Sequence, residues 1–243
     1  HEGALAGAGL SHFLEHMVFK GTRHIPCADL ASMVNAAGGQ WNAYTSFDRT
    51  VYYIDGPSES LPTFLEVLFE LTFHPAFPIE DFETEKDVIR REIDMGNDDP
   101  DSASSQLLFN TFFQRDPRRH PVIGHLNLFN RITHEDMVRY HQTRYVPSNA
   151  FFVLSGAFDP ATVLEKIREY TADIPAGPLV EPVLPPEPRH LGRRVSRETF
   201  AVPISKTTLA WQTIGLDHPD APALELLSQI VCGGNSSPLY QKL

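Results

Sequence analysis

Cysteine is scarce in this sequence. The 243 residues contain only Cys27 and Cys232, which lie far apart and form no CxxC spacing. Two cysteines cannot build a disulfide framework, so the fold must be held by an apolar core. The scarcity favours a reducing compartment such as the cytoplasm, with a periplasmic location as the alternative.

Basic residues are also few. Lys and Arg number 20 against 31 Asp and Glu, which gives a formal net charge of −11. Binding to nucleic acid depends mainly on Lys and Arg that neutralise phosphate, so no nucleic acid partner is expected. The negative charge fits a basic peptide partner, and plain solubility is the simpler explanation. No apolar run reaches the ~20 residues of a membrane span, so no membrane partner is predicted.

Apolar residues make up 42% of the chain, which is enough for a sizeable core. The pattern of helix and strand signals predicts an α+β domain over residues 1–177, a proline-rich linker over 178–195, and the beginning of a second, similar domain over 196–243. Helices are predicted over residues 9–19, 29–37, 59–73, 79–95, 102–114, 133–145, 160–172 and 221–231, and strands over 40–54, 150–158, 199–204 and 207–214. Thr133 and Asp159 are the predicted N-terminal caps of the sixth and seventh of these helices.

The first helix carries the pattern with the most chemical content. His12 and His16 are four residues apart and therefore share one face of the helix. Two imidazoles so placed can bind one Zn²⁺, and Glu15 can reach a metal-bound water as its base. The order His-x-x-Glu-His is the inverzincin signature. A buried helix that happens to hold these residues is the plain alternative.

A catalytic zinc site needs a third protein ligand. On a helical wheel of residues 79–95, Glu85 and Glu92 fall in the middle of the apolar stripe, and Lys86 is assigned to the charged side. Buried carboxylates are normally paired or bound to metal. Glu92 is therefore predicted as the third ligand, with Glu85 as an acidic catalytic neighbour. Pairing of both with buried Arg or hydroxyl groups is the alternative.

Several segments, in order along nearly the whole chain, closely resemble the pitrilysin-type zinc metallopeptidases, the family of insulin-degrading enzyme and the catalytic mitochondrial processing peptidase subunit. These segments are Gly9–Thr22, Gly38–Thr45 with Asp48 and Thr50, Glu85–Glu92, His120-Pro121 with Gly124, and Cys232–Tyr240.

The resemblance implies a two-layer sheet-and-helix domain that hydrolyses peptide bonds as an endopeptidase. It implies that His12, His16 and Glu92 bind zinc and that Glu15 is the general base. It also implies that Asn42 and Ala43 pair with the backbone of an extended peptide substrate. Glu92 follows His16 by 76 residues, the kind of spacing that the family shows.

The sequence also departs from the family. The chain starts almost at the metal-binding helix, without an initiator Met or a signal-like segment, so it is interpreted as an N-terminal fragment that lacks the first strands. The second half or subunit that closes the chamber in the family is nearly absent, so the fragment alone is expected to bind zinc weakly or not at all and to cleave poorly. A non-catalytic assembly subunit of the same fold is the alternative function.

Overall fold

The structure, a computed structural model, describes residues 2–178 and 183–242, and within them ten α-helices and one two-stranded sheet. The predicted linker 178–195 includes residues 179–182, which lie outside the described part. The elements are α1 (Leu10–Val18), α2 (Cys27–Ala36), β1 (Gln40–Thr45), β2 (Thr50–Asp55), α3 (Leu61–Phe73), α4 (Ile79–Asp98), α5 (Pro100–Phe112), α6 (Leu126–Phe129), α7 (His134–Arg144), α8 (Pro160–Thr171), α9 (Ala221–Cys232) and α10 (Pro238–Lys242).

The helix α1 lies at the centre of the largest apolar cluster. Leu10, Phe13, Leu14, Met17 and Val18 are each at most 1% exposed. They pack among apolar side chains of α4, α6 and α7, and α1 also contacts β1. Burying a side chain of this size contributes roughly 1.5–3 kcal/mol, so this packing fixes the helix firmly.

A close crossing of two backbone segments places the start of α1. Gly9 and Gly124 have φ of +77° and +89°, a region that favours glycine. A Cβ on Gly9 would lie 2.0 Å from the carbonyl oxygen of Ile123, and one on Gly124 would lie 2.4 Å from the Ala8 carbonyl. The carboxylate of Glu2 caps the helix, because it accepts hydrogen bonds from the backbone N–H of Gly9 (3.1 Å) and Ser11 (2.8 Å).

The caps predicted for two later helices are confirmed. Thr133 caps α7 in a capping box with Asp136. Asp159 caps α8 and accepts a hydrogen bond from the N–H of Thr162, with Pro160 at the first helical position.

Three predicted strands are wrong. Residues 150–158, 199–204 and 207–214 do not form strands, and the described residues contain no strand beyond β1 and β2. A strand requires a hydrogen-bonded neighbour, and no described segment supplies one for these residues. Phe151 and Val153 are consequently 81% and 75% exposed.

The burial predicted from the helical wheel of α4 is correct for Glu85 and wrong for Lys86 and Glu92. Glu85 is buried, as predicted. Lys86, predicted to be on the charged side, is also buried, and its ammonium donates a 2.9 Å hydrogen bond to the carbonyl of Ile132. Glu92, predicted to face the core, has a side chain that is 46% exposed. At ~100° per residue, Lys86 lies about 40° from Phe82, next to the apolar stripe, so its assignment to the charged side misplaced it on the wheel. The exposure of Glu92 has a different reason: the wheel describes one helix alone, whereas burial depends on which segments pack beside it.

The chain divides into two compact units, His1–Pro188 with Arg194–Lys206 and Arg189–Arg193 with Thr207–Leu243. The first unit contains α1 to α8 and both strands. In the second, α10 contacts α9. None of the described helices is long and apolar enough to cross a membrane.

Candidate metal centre

Three predicted ligands from two helices meet at one point. One ligand atom each of His12, His16 and Glu92 lies within 4.8 Å of the others. The Nε2 atoms of His12 and His16 are 3.7 Å and 3.8 Å from the two carboxylate oxygens of Glu92. Ligands of a tetrahedral zinc ion are roughly 3.3–3.5 Å apart, so small side-chain movements would close this set around the ion. No other group of three His, Cys, Asp or Glu residues in the described chain converges in this way.

The chemistry of the donors also fits a zinc ion. Burial, together with the neighbouring His16, lowers the pKa of His12 to about 4. The ring of His12 is therefore neutral at pH 7 and offers a nitrogen lone pair to a metal. Two imidazoles and one carboxylate form a three-ligand set that leaves a fourth position for water, as catalytic zinc sites require. Glu92, at the exposed edge of this set, keeps its carboxylate within reach of solvent.

Glu85 contacts His16, one of the three candidate metal ligands. Its Oε1 lies 2.9 Å from Nδ1 of His16, and its Oε2 lies 2.5 Å from the ammonium of Lys20. The hydrogen bond from His16, together with that of Lys20, outweighs burial and lowers the pKa of Glu85 to about 2. Burial opposes the charge on His16, but Glu85, Glu92 and Glu15 outweigh it and raise the His16 pKa. A carboxylate on Nδ1 fixes the ring so that Nε2 points to the metal position.

Glu15 lies on α1 between the two histidines and is buried. Its Oε2 accepts a 2.5 Å hydrogen bond from the hydroxyl of Thr45 on β1. Burial raises the pKa of Glu15, and the charge of Glu92 adds to this effect, whereas the Thr45 hydrogen bond opposes it. The base candidate is therefore held by a contact from the hairpin.

The backbone N–H and C=O of Ala43 face the outer edge of β1. The N–H of Ser46 donates to Arg49 at the hairpin turn. Hydrogen-bonded and non-hydrogen-bonded pairs alternate along an antiparallel ladder, so the pair Ala43–Tyr52 is of the second kind. The N–H and C=O of Ala43 therefore point away from β2. The side chain of Asn42 accepts the hydrogen bond of this N–H at 2.9 Å.

A cleft of about 580 Å³ opens beside the cluster. The C-terminal part of α4, the start of α5 and the loop 122–126 form its walls. His125 lines it, and its Nε2 lies 3.0 Å from Nδ1 of His120.

Sequence reasoning missed the support of the site. Lys20 and Thr45 contact Glu85 and Glu15 directly, and Glu2 caps α1. The register of the hairpin places Thr45 on the same side of β1 as Ala43, but it does not show which helix this side faces. No sequence signal connects Lys20 to Glu85, because the two residues are 65 positions apart and meet only through tertiary packing.

The family model described as insulinase (peptidase family M16) matches residues 5–125, and the model described as the peptidase M16 inactive domain matches residues 131–243. An uncharacterized zinc protease of Streptomyces coelicolor is 30% identical over 242 residues, which cover 97% of this chain and 52% of the relative. Subunit 1 of the human mitochondrial cytochrome b-c1 complex is 27% identical over 92% of this chain and 47% of its own.

The solved structure of a protease from Helicobacter pylori has the same fold. It aligns with a TM-score of 0.80 and 26% identity, over 97% of this chain and 58% of its own. The α+β class predicted from the sequence is therefore confirmed. The chain spans about half the length of the curated relatives it matches.

Proposed function

Because this chain belongs to peptidase family M16, the insulinase family, we propose that it carries the metal site of a zinc-dependent endopeptidase. The family resemblance seen in the sequence is thereby confirmed. The observation that supports the proposal is the convergence of His12, His16 and Glu92 within 4.8 Å, next to a buried carboxylate on the same helix.

His12 and His16 would hold zinc through Nε2 and Glu92 through its carboxylate. The bound ion would polarise the peptide carbonyl and lower the pKa of a bound water. Glu15 accepts a proton from the attacking water and passes it to the leaving amine. Glu85 is proposed to act through His16 rather than on the substrate, because both of its oxygens are already engaged by His16 and Lys20.

An extended peptide would bind by adding a strand to the outer edge of β1. Ala43 offers the backbone N–H and C=O, and this edge has no partner strand in the part of the chain that the structure describes. Asn42 contributes its side chain, which holds the Ala43 N–H until a substrate carbonyl replaces it. The Asn42 side chain thus keeps the edge of β1 from pairing with other strands, and a substrate peptide can still displace it.

A second homologous half or subunit is proposed to close the chamber over this edge. We also propose a catalytic domain, a linker and the beginning of a second domain, with the boundaries inferred from the sequence: 1–177, 178–195 and 196–243. The net charge of −11 favours basic peptides through long-range attraction. At low salt, a basic peptide should be cleaved faster than an acidic peptide with the same cleavage site, and equal rates would remove this preference.

A non-catalytic assembly subunit is the second candidate. One observation favours it: a relative of similar identity is named as a subunit of the cytochrome b-c1 complex. A subunit without activity would not be expected to keep three ligands and a base together, as this chain does.

The test uses the complete protein with any half or subunit that it needs. Wild type, Glu15→Gln and Glu83→Gln are compared for zinc content and peptide cleavage. Glu83 lies on the exposed side of α4, with a side chain that is 69% exposed, and serves as the matched control. Zinc should be bound in all three proteins, and turnover should fall roughly 10²- to 10⁴-fold only in Glu15→Gln.

Full turnover of zinc-loaded Glu15→Gln would show that Glu15 is not the base. A wild-type protein that binds zinc but cleaves no peptide would favour the assembly subunit.

A further inference from the structure

Two threonine hydroxyls form a hydrogen-bonded pair next to the Glu15 carboxylate. Thr45 and Thr50 are direct partners in the hairpin register, and their Oγ1 atoms are 3.2 Å apart. Side chains of a non-hydrogen-bonded antiparallel pair approach closely, which explains this contact. Thr45 also donates its hydrogen bond to Oε2 of Glu15 at 2.5 Å.

The Glu15 carboxylate orders the hydrogen bonds of the two threonines. Each hydroxyl has one proton to donate and lone pairs to accept. Since Thr45 gives its proton to Glu15, its oxygen can accept the hydrogen bond of Thr50. The carboxylate therefore sets the direction of the hydrogen bond between the two threonines.

We propose that Thr45 is a positioning residue for Glu15, with Thr50 as its support; this proposal rests on the proposed peptidase function. Thr45 holds Oε2, which leaves Oε1 for the water that attacks the substrate. A hydrogen bond to a charged acceptor is stronger than one between neutral groups, so it restricts the rotation of the carboxylate effectively. Because Thr45 lies on β1, the strand whose edge receives the peptide also aims the base.

The test compares wild type, Thr45→Val and Thr45→Ser in the zinc-loaded, complete protein, with a quenched fluorescent peptide as the substrate. Val has the shape of Thr without the hydroxyl, and Ser restores the hydroxyl without the methyl group. Thr45→Val should lower kcat roughly 10- to 100-fold with KM and zinc content unchanged. Thr45→Ser should recover most of the lost kcat.

Thr50→Val is a second variant that leaves the Thr45 donor in place. It should lower kcat less than Thr45→Val does, again without a change in KM or zinc content. This variant also carries the test if Thr45→Val does not fold.

Unchanged kcat in both valine variants would overturn the proposal, as would loss of zinc or a raised KM in parallel with kcat, which would indicate a merely structural role. The proposed peptidase function is tested separately by Glu15→Gln. If Glu15→Gln is inactive while Thr45→Val is fully active, only the positioning role fails.

Discussion

Replacement of Gly124 by alanine tests the backbone crossing that places α1. The new Cβ would lie 2.4 Å from the carbonyl carbon and oxygen of Ala8, well inside van der Waals contact, and φ is +89°. The positive φ costs about 1–2 kcal/mol, and the overlap adds about 1–3 kcal/mol because backbone has to move. We expect a total loss of about 3 kcal/mol in the free energy of unfolding.

Gly96→Ala is the matched control. Gly96 lies inside α4, and a Cβ there meets nothing within 4 Å. This change should stabilise the protein by about 0.5–1 kcal/mol, because alanine favours the helix. The assay is urea unfolding at pH 7, with thermal unfolding as a second measure. A loss of 3 kcal/mol corresponds to roughly 6–12 °C for a domain of this size.

Zinc content is a second measurement on the two glycine variants. Because the crossing sets the start of α1, Gly124→Ala should also weaken zinc binding, whereas Gly96→Ala should not. If Gly124→Ala unfolds at the wild-type urea concentration, the two segments do not approach as closely as described, and the account of how α1 is placed is refuted.

Three further changes test other contacts. Burial lowers the pKa of His141 to about 4, and its Nε2 lies 2.8 Å from the Thr72 carbonyl oxygen. As the pH falls, the histidine is therefore protonated in the unfolded chain before it is protonated in the folded chain, so the free energy of unfolding should fall by about 2 kcal/mol between pH 7 and pH 5. In urea unfolding, His141→Gln should lose clearly less over the same pH range. Lys86→Met leaves the buried Ile132 carbonyl without its 2.9 Å donor and should cost about 1–3 kcal/mol in the same assay, unless the carbonyl finds another donor, in which case no loss appears. Glu85→Ala removes the carboxylate from His16 and should weaken zinc binding roughly 10- to 100-fold in competition with a chromophoric chelator; unchanged affinity would mean that His16 is held by packing alone.

Local signals carried much of the prediction. The caps Thr133 and Asp159 act within three residues of themselves, so the sequence alone reveals them. The spacing of His12 and His16 fixes their common face for the same reason. These features depend on helix geometry and on nothing distant in the chain.

Features that depend on distant partners were harder to predict. The segment 150–158 has the composition of a strand, but strand formation depends on a neighbour that composition does not specify. Glu92 was correctly placed beside the histidines and wrongly expected to be buried, since exposure depends on the cleft next to it. The contacts of Lys20 and Thr45 join elements that only tertiary packing brings together.

The burial of α1 has a consequence for how a metal would exchange. His12 and His16 belong to a helix locked on its other sides by fully buried side chains, so they cannot swing away without disturbing the core. Glu92 has the most exposed side chain of the three, at 46%, so it meets fewer packing constraints than the histidines when it moves. An ion would therefore arrive and leave on the Glu92 side. Substitutions at Glu92 would alter the lifetime of the bound ion, whereas substitutions in the apolar faces of α1 would alter whether a site forms at all.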